Sequence, residues 1–153
     1  MITLAPLTDK EKIRAAWEEN GLTYSDISGC VTERCGDEVL GYCLYTLDSE
    51  KMVILRLVTT DDAAFADGLL RSTLHVAAER SVLNAFYEGE DTERLCEKLG
   101  FILNRDEKRL DTDKHMRNEA ERLAAELPKG NRPKLFPFYQ TLKSPGISFI
   151  YKQ

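Results

Sequence analysis

The chain has 153 residues, 42% of them hydrophobic and 31% charged, with a formal net charge of −5. Its length suits one core and its apolar content is enough to offset chain entropy, which excludes whole-chain disorder. The acidic balance excludes a general basic coat, and no apolar run approaches the roughly 20 residues that span a bilayer, so neither nucleic acid nor membrane is an expected partner.

The charge is unevenly divided: residues 1–110 carry 13 basic and 21 acidic groups, residues 111–153 carry 8 and 5. One domain over 1–153 is expected, with a body at 1–108 and a distinct extension at 109–153 packed on it. The start MITLAPLTDKEK has neither a basic leader nor a sustained apolar stretch, and four cysteines are too few for a disulfide-stapled scaffold, so a reducing cytoplasm is the expected compartment. The spacing of Cys30, Cys35 and Cys43 matches no common zinc pattern, with His75 and His115 remote in sequence. No metal is expected.

In chain order, residues 2–7 read as a short strand. Thr8 and Glu11 then form a capping box for a helix whose Ile13, Ala16 and Trp17 share a stripe and which Gly21 stops. Three strand-like runs follow, ISGCVTERC, EVLGYCLYTL and KMVILRLVTT, joined by turns so short that they predict an antiparallel meander. In the third run Arg56 shares a face with Met52, Ile54 and Val58.

The segment DDAAFADGLLRSTLHVAAER changes to a helical period, with Ala66, Leu70, Thr73 and Ala77 on one face and Arg71, His75 and Glu79 on a polar one. SVLNAFY is a strand. DTERLCEKLG is a helix capped by Asp91 or Thr92, with Leu95, Cys96 and Leu99 inward. FILNRDEK is a further strand, so the sheet is mixed and both faces carry helices. The tail predicts a helix from Thr112 to Pro128, a proline-bearing loop with the basic cluster Lys129, Arg132 and Lys134, and a closing strand.

Residues 38–103 resemble the GCN5-related N-acetyltransferase (GNAT) superfamily. The carriers are EVLGYCLYTL as its third strand, KMVILRLVTT as its fourth, the long helix, SVLNAFY as its fifth strand, and the LGF ending of DTERLCEKLGF. The resemblance implies an α+β fold with a mixed, mostly antiparallel sheet, plus the C-terminal helix and tail. It also implies acetyl-CoA, or another acyl-CoA, in a wedge between the fourth and fifth strands. Leu57, Val58 and Thr59 would offer backbone to the coenzyme, and Ala64 and Ala66 fall on the last two places of the family's phosphate-loop signature. Cys96 occupies the place where many members carry a proton-donating tyrosine.

Two departures shape the expected function. Asp61 stands where the signature has a cationic or amide side chain, with Asp62 beside it, and like charges oppose a diphosphate. The thiol of Cys96 replaces a phenol. The expectation is an acyl-CoA-dependent N-acyltransferase with weakened coenzyme binding, acting on a small-molecule or peptide amine. The alternative is a catalytically inactive binding or regulatory module on the same fold. A homodimer is a further expectation from the resemblance.

Overall fold

A computed structural model describes residues 2–59 and 63–114. Asp61, Asp62, the basic cluster and the tail beyond residue 114 lie outside the described residues. The elements in order are β1 (Ile2–Pro6), α1 (Lys10–Glu19), β2 (Ser28–Cys35), β3 (Glu38–Leu47), β4 (Met52–Thr59), α2 (Ala63–Glu79), β5 (Ala85–Tyr87), α3 (Glu90–Lys98), β6 (Ile102–Asn104) and β7 (Arg109–Leu110). They build one seven-stranded sheet of order β1-β2-β3-β4-β5-β7-β6. Every neighbouring pair is antiparallel except β4 with β5. The expected meander and mixed α+β sheet are both present.

Helices cover both faces, because the strands alternate two apolar sets. On one face Ile13 and Trp17 of α1 meet Cys30 and Leu44, and the Trp17 indole N–H donates to Gly29 O at 3.1 Å. On the other, Leu69, Leu70, Leu74 and Ala77 of α2 join Val31, Cys43, Met52, Ile54 and Leu57, along with Cys96 of α3. The α1 cap sits one residue later than the Thr8 capping box predicts: the Asp9 carboxylate accepts from Glu11 N at 3.0 Å. The α2 stripe forms as expected, but its polar side is also covered. His75 and Ser72 are buried, and the polar side chains there pair along the helix, Arg71 with Asp67 at 2.7 Å and His75 with Glu79 at 3.3 Å.

Two strands are shorter than the sequence predicts. Residues 81–84 precede β5 as a turn, with Ser81 at φ 62. The 101–108 run breaks into a hairpin because the Asn104 side chain accepts from Glu107 N at 3.1 Å and Lys108 N returns to Arg105 O at 3.1 Å, a local turn that competes with the ladder. At α3, neither Asp91 nor Thr92 is the cap. Gly89, at φ 93, occupies that position with no side-chain bond.

A bulge in β4 corrects the expected placement of Arg56. Tyr45 opposes Ile54 but Leu44 opposes Arg56, which leaves Leu55 as an extra residue. Such an insertion reverses the alternation beyond it. Leu57 therefore joins Met52 and Ile54 in the α2-side core. Arg56 and Val58 stand opposite Leu44 and Tyr42, which belong to the α1 side.

Candidate functional site at the opening between β4 and β5

β4 and β5 pair only where Met52, Val53 and Ile54 meet Ala85, Phe86 and Tyr87. The last bond across the pair runs from Glu88 N to Ile54 O at 2.9 Å. β4 then continues through residues 55–59 with no β5 partner, while the other chain turns away at Gly89 into α3. Two local causes produce the divergence. The bulge twists β4, and Gly89 takes a positive φ that a side chain would strain. The result is a run of strand backbone left open on one side.

At the vertex, Leu55 O accepts from Arg56 Nη1 at 2.8 Å and from Thr92 Oγ1 at 3.4 Å. A cavity of about 330 Å³ opens there, lined by Arg56, Gly89, Glu90, Asp91 and Thr92. Asp91 is paired with Arg94, so the acids of the first α3 turn complement the helix dipole. A larger groove of about 530 Å³ between β1 and α2, lined by residues including His75, Glu79 and Arg80, lies on another part of the molecule.

The structure brings Leu57, Val58 and Thr59 together along the open stretch of β4. Leu57 is buried, Val58 is exposed, and the Thr59 hydroxyl is buried with no hydrogen-bond partner. Ala64 is exposed on the first turn of α2 and Ala66 faces the core. Cys96 is fully buried, in the cluster that holds Leu57 and Tyr87. Burial, then the nearby Glu93 carboxylate, pushes its thiol up to about 12.

Two groups near the opening were missed by sequence reasoning. Glu33 is completely buried on β2. It opposes Gly41, which in turn opposes Thr59, so a carboxylate and a hydroxyl share one row of the sheet with a glycine between them. The available signal was its phase, since Glu33 is two residues from the inward Val31. Tyr87, which the sequence places only in a strand, is 1% exposed, with the Glu93 carboxylate beside its hydroxyl. Burial and then Glu93 raise its pKa.

Among the described residues no group of three His, Cys, Asp or Glu is arranged to hold a metal ion. No described helix is long and apolar enough to cross a membrane.

Neither a protein-family model nor a curated protein sequence matches the chain. Solved structures do. A GNAT family acetyltransferase from Elizabethkingia anophelis with acetyl-CoA bound is 16% identical, over 65% of this chain and 75% of that one, with a TM-score of 0.50. Ribosomal-protein-alanine N-acetyltransferase from Brucella melitensis is 14% identical over 65% and 90%, with a TM-score of 0.50. The KacTA–DNA complex contains a chain 14% identical over 79% of this protein and 99% of its own length, with a TM-score of 0.55. The mostly antiparallel α+β sheet with its covering helices therefore has the GNAT fold.

Proposed function

We propose that the protein is an acyl-CoA-dependent N-acyltransferase that binds its coenzyme weakly and acylates a small-molecule or peptide amine. The observation that carries this reading is the unpaired β4 backbone of residues 55–59 beside β5. An open strand edge offers amide and carbonyl groups to an extended amide-bearing arm, as in strand addition. A pantetheine arm is such a group, and Leu57, Val58 and Thr59 would hold it. The Thr59 hydroxyl, buried without a partner, supports a ligand at that end.

The diphosphate end fits less well. Ala64 puts a methyl on the first turn of α2, where close approach of backbone to phosphate favours glycine. Asp61 and Asp62 add negative charge to the same stretch of sequence. At an effective dielectric near 20, each unit charge about 8 Å from a phosphate costs about 2 kcal/mol, or over tenfold in affinity. Catalysis on this reading rests on holding amine and thioester together. Cys96, at the family's tyrosine position, is a poor source of the proton a leaving thiolate needs, because its own pKa near 12 makes the transfer uphill.

The acidic body argues against nucleic acid as partner. Calorimetry with acetyl-CoA tests the reading. A dissociation constant in the high micromolar to millimolar range, tightened at least tenfold by Asp61→Arg with Ala64→Gly, is expected. No heat at millimolar coenzyme in either protein would refute it and favour the inactive module.

A further inference from the structure

We infer that Arg56 makes the protein select an acceptor amine that also carries a carboxylate, a small molecule of the amino-acid type; the inference rests on the proposed acyltransferase reading and names its substrate class. The bulge sets the residue's position. It puts Leu55 and Arg56 side by side on the α1 face of the sheet, where Leu55 packs on the Trp17 cluster and Arg56 opposes Leu44 of that cluster. Arg56 is half-buried there. Its side chain runs to the start of α3, where Nη1 is 3.8 Å from the place a methyl would take at Gly89. The guanidinium thus lines the cavity of about 330 Å³ together with Gly89, Glu90, Asp91 and Thr92.

A charge drawn away from water is ordinarily paired with an opposite one, because a neutral acceptor returns only part of the lost hydration. Among the described residues Arg56 has no carboxylate partner. Its hydrogen bond there runs from Nη1 to Leu55 O at 2.8 Å, and Asp91 in the same lining is held by Arg94. Four of the five guanidinium N–H groups are left, in a fork that matches the two oxygens of a carboxylate. The cavity is at the small end of ligand pockets, which suits a metabolite rather than a protein segment. Glu90 and Asp91 would repel a polyanion, whereas a molecule with one carboxylate and one amine is neutral overall and meets both signs of charge. Position supplies the reactive encounter. A coenzyme arm along Leu57, Val58 and Thr59, with its diphosphate toward the first turn of α2, brings its thioester end toward the Leu55 carbonyl, the group that Arg56 and Thr92 both touch.

An amino acid and its α-carboxamide differ in the group that Arg56 would hold, so the ratio of their kcat/KM values is the readout. The protein amino acids are each assayed against the matching carboxamide, with acetyl-CoA as donor and release of free thiol as signal, in wild type, Arg56→Gln and Arg56→Lys. At least one amino acid is expected to be acetylated in preference to its carboxamide. That preference is expected to fall about 30-fold in Arg56→Gln, within the range for losing a hydrogen-bonded charge pair, and about fivefold in Arg56→Lys, which keeps the charge without the fork. Amine basicity differs between acid and amide but is the same for every variant, so it cancels. A packing role for Arg56 would lower both substrates together, and an unchanged ratio in Arg56→Gln would overturn the inference; should that variant fail to fold, an unchanged ratio in Arg56→Lys would do so. Turnover confined to amines without a carboxylate, such as spermidine, would overturn it and leave the acyltransferase reading standing. Coenzyme binding with no amino acid acetylated would also overturn it. Neither coenzyme binding nor turnover of any amine would remove the acyltransferase reading and this inference with it.

Discussion

Gly41→Ala is the substitution that most directly couples the sheet to the site. Gly41 pairs with Thr59 at the end of the open β4 stretch. A methyl at Gly41 would lie 2.8 Å from Val58 O and 3.2 Å from Thr59 Cα, both backbone atoms, where ordinary contact begins at 3.4 Å. Nothing at the end of a flexible side chain can yield, so β4 itself must shift by several tenths of an ångström. Overpacking of this kind costs about 1–3 kcal/mol. Alanine recovers about 0.5–1 kcal/mol of strand propensity relative to glycine. The net expectation is a loss of about 1–2 kcal/mol in urea unfolding, with the m-value unchanged, and a drop of roughly 2–8 °C in melting temperature. Because the displaced atoms are those of Val58 and Thr59, acetyl-CoA affinity is expected to fall in the same variant. Gly41→Ala with wild-type stability and wild-type affinity would refute the claim that this glycine sets the position of the open strand.

Three other predictions follow from burial and charge. Thiol labelling of the native protein at pH 8 is expected to modify the exposed Cys35 first, leaving Cys30, Cys43 and Cys96 protected; equally fast labelling of Cys96 would contradict its burial. Burial raises Cys30 and Cys96 to about 12, and Cys43 further. The unfolded chain ionises these thiols first, from pH 9, so their stabilisation is full below pH 9 and is lost as pH rises toward 12, at about 1.4 kcal/mol per pH unit for each thiol. Denaturant titrations between pH 8.5 and 10.5 would check this, with Cys96→Ala losing one thiol's share of the slope. Finally, strands about 4.8 Å apart place Glu33 two strands, or about 10 Å, from Thr59. Negative charge on that carboxyl would repel a phosphate, so Glu33→Gln is expected to tighten acetyl-CoA in calorimetry, and unchanged affinity would show that the row carries no such repulsion.

Much of this fold was legible because its signals are local. The meander was readable from short turns between alternating runs, and the inner stripe of α2 from its period, since Ala66, Leu70, Thr73 and Ala77 are all buried. What was not legible depends on partners distant in sequence. The Leu55 bulge is a property of pairing with β3, and without it alternation puts Arg56 on the wrong face. His75 reads as solvated until β1 closes over the polar side of α2. The hairpin after Phe101 depends on one asparagine side chain competing with the ladder.

The site divides in the same way. Leu57, Val58 and Thr59 follow from the strand they occupy, and the structure gathers them at the opening. Glu33 reaches that row only through cross-strand register, and the burial of Tyr87 beside Glu93 is a fact about three-dimensional neighbours that no spacing encodes.

The central claim is that the unpaired backbone of residues 55–59 receives an acyl-CoA. Amide hydrogen exchange across β4, with and without saturating acetyl-CoA, tests it most directly. The account predicts that exchange slows at residues 55–59 while residues 52–54, already bonded to β5, stay as they are. Coenzyme binding with no added protection at 55–59, or protection confined to the groove between β1 and α2, would contradict it.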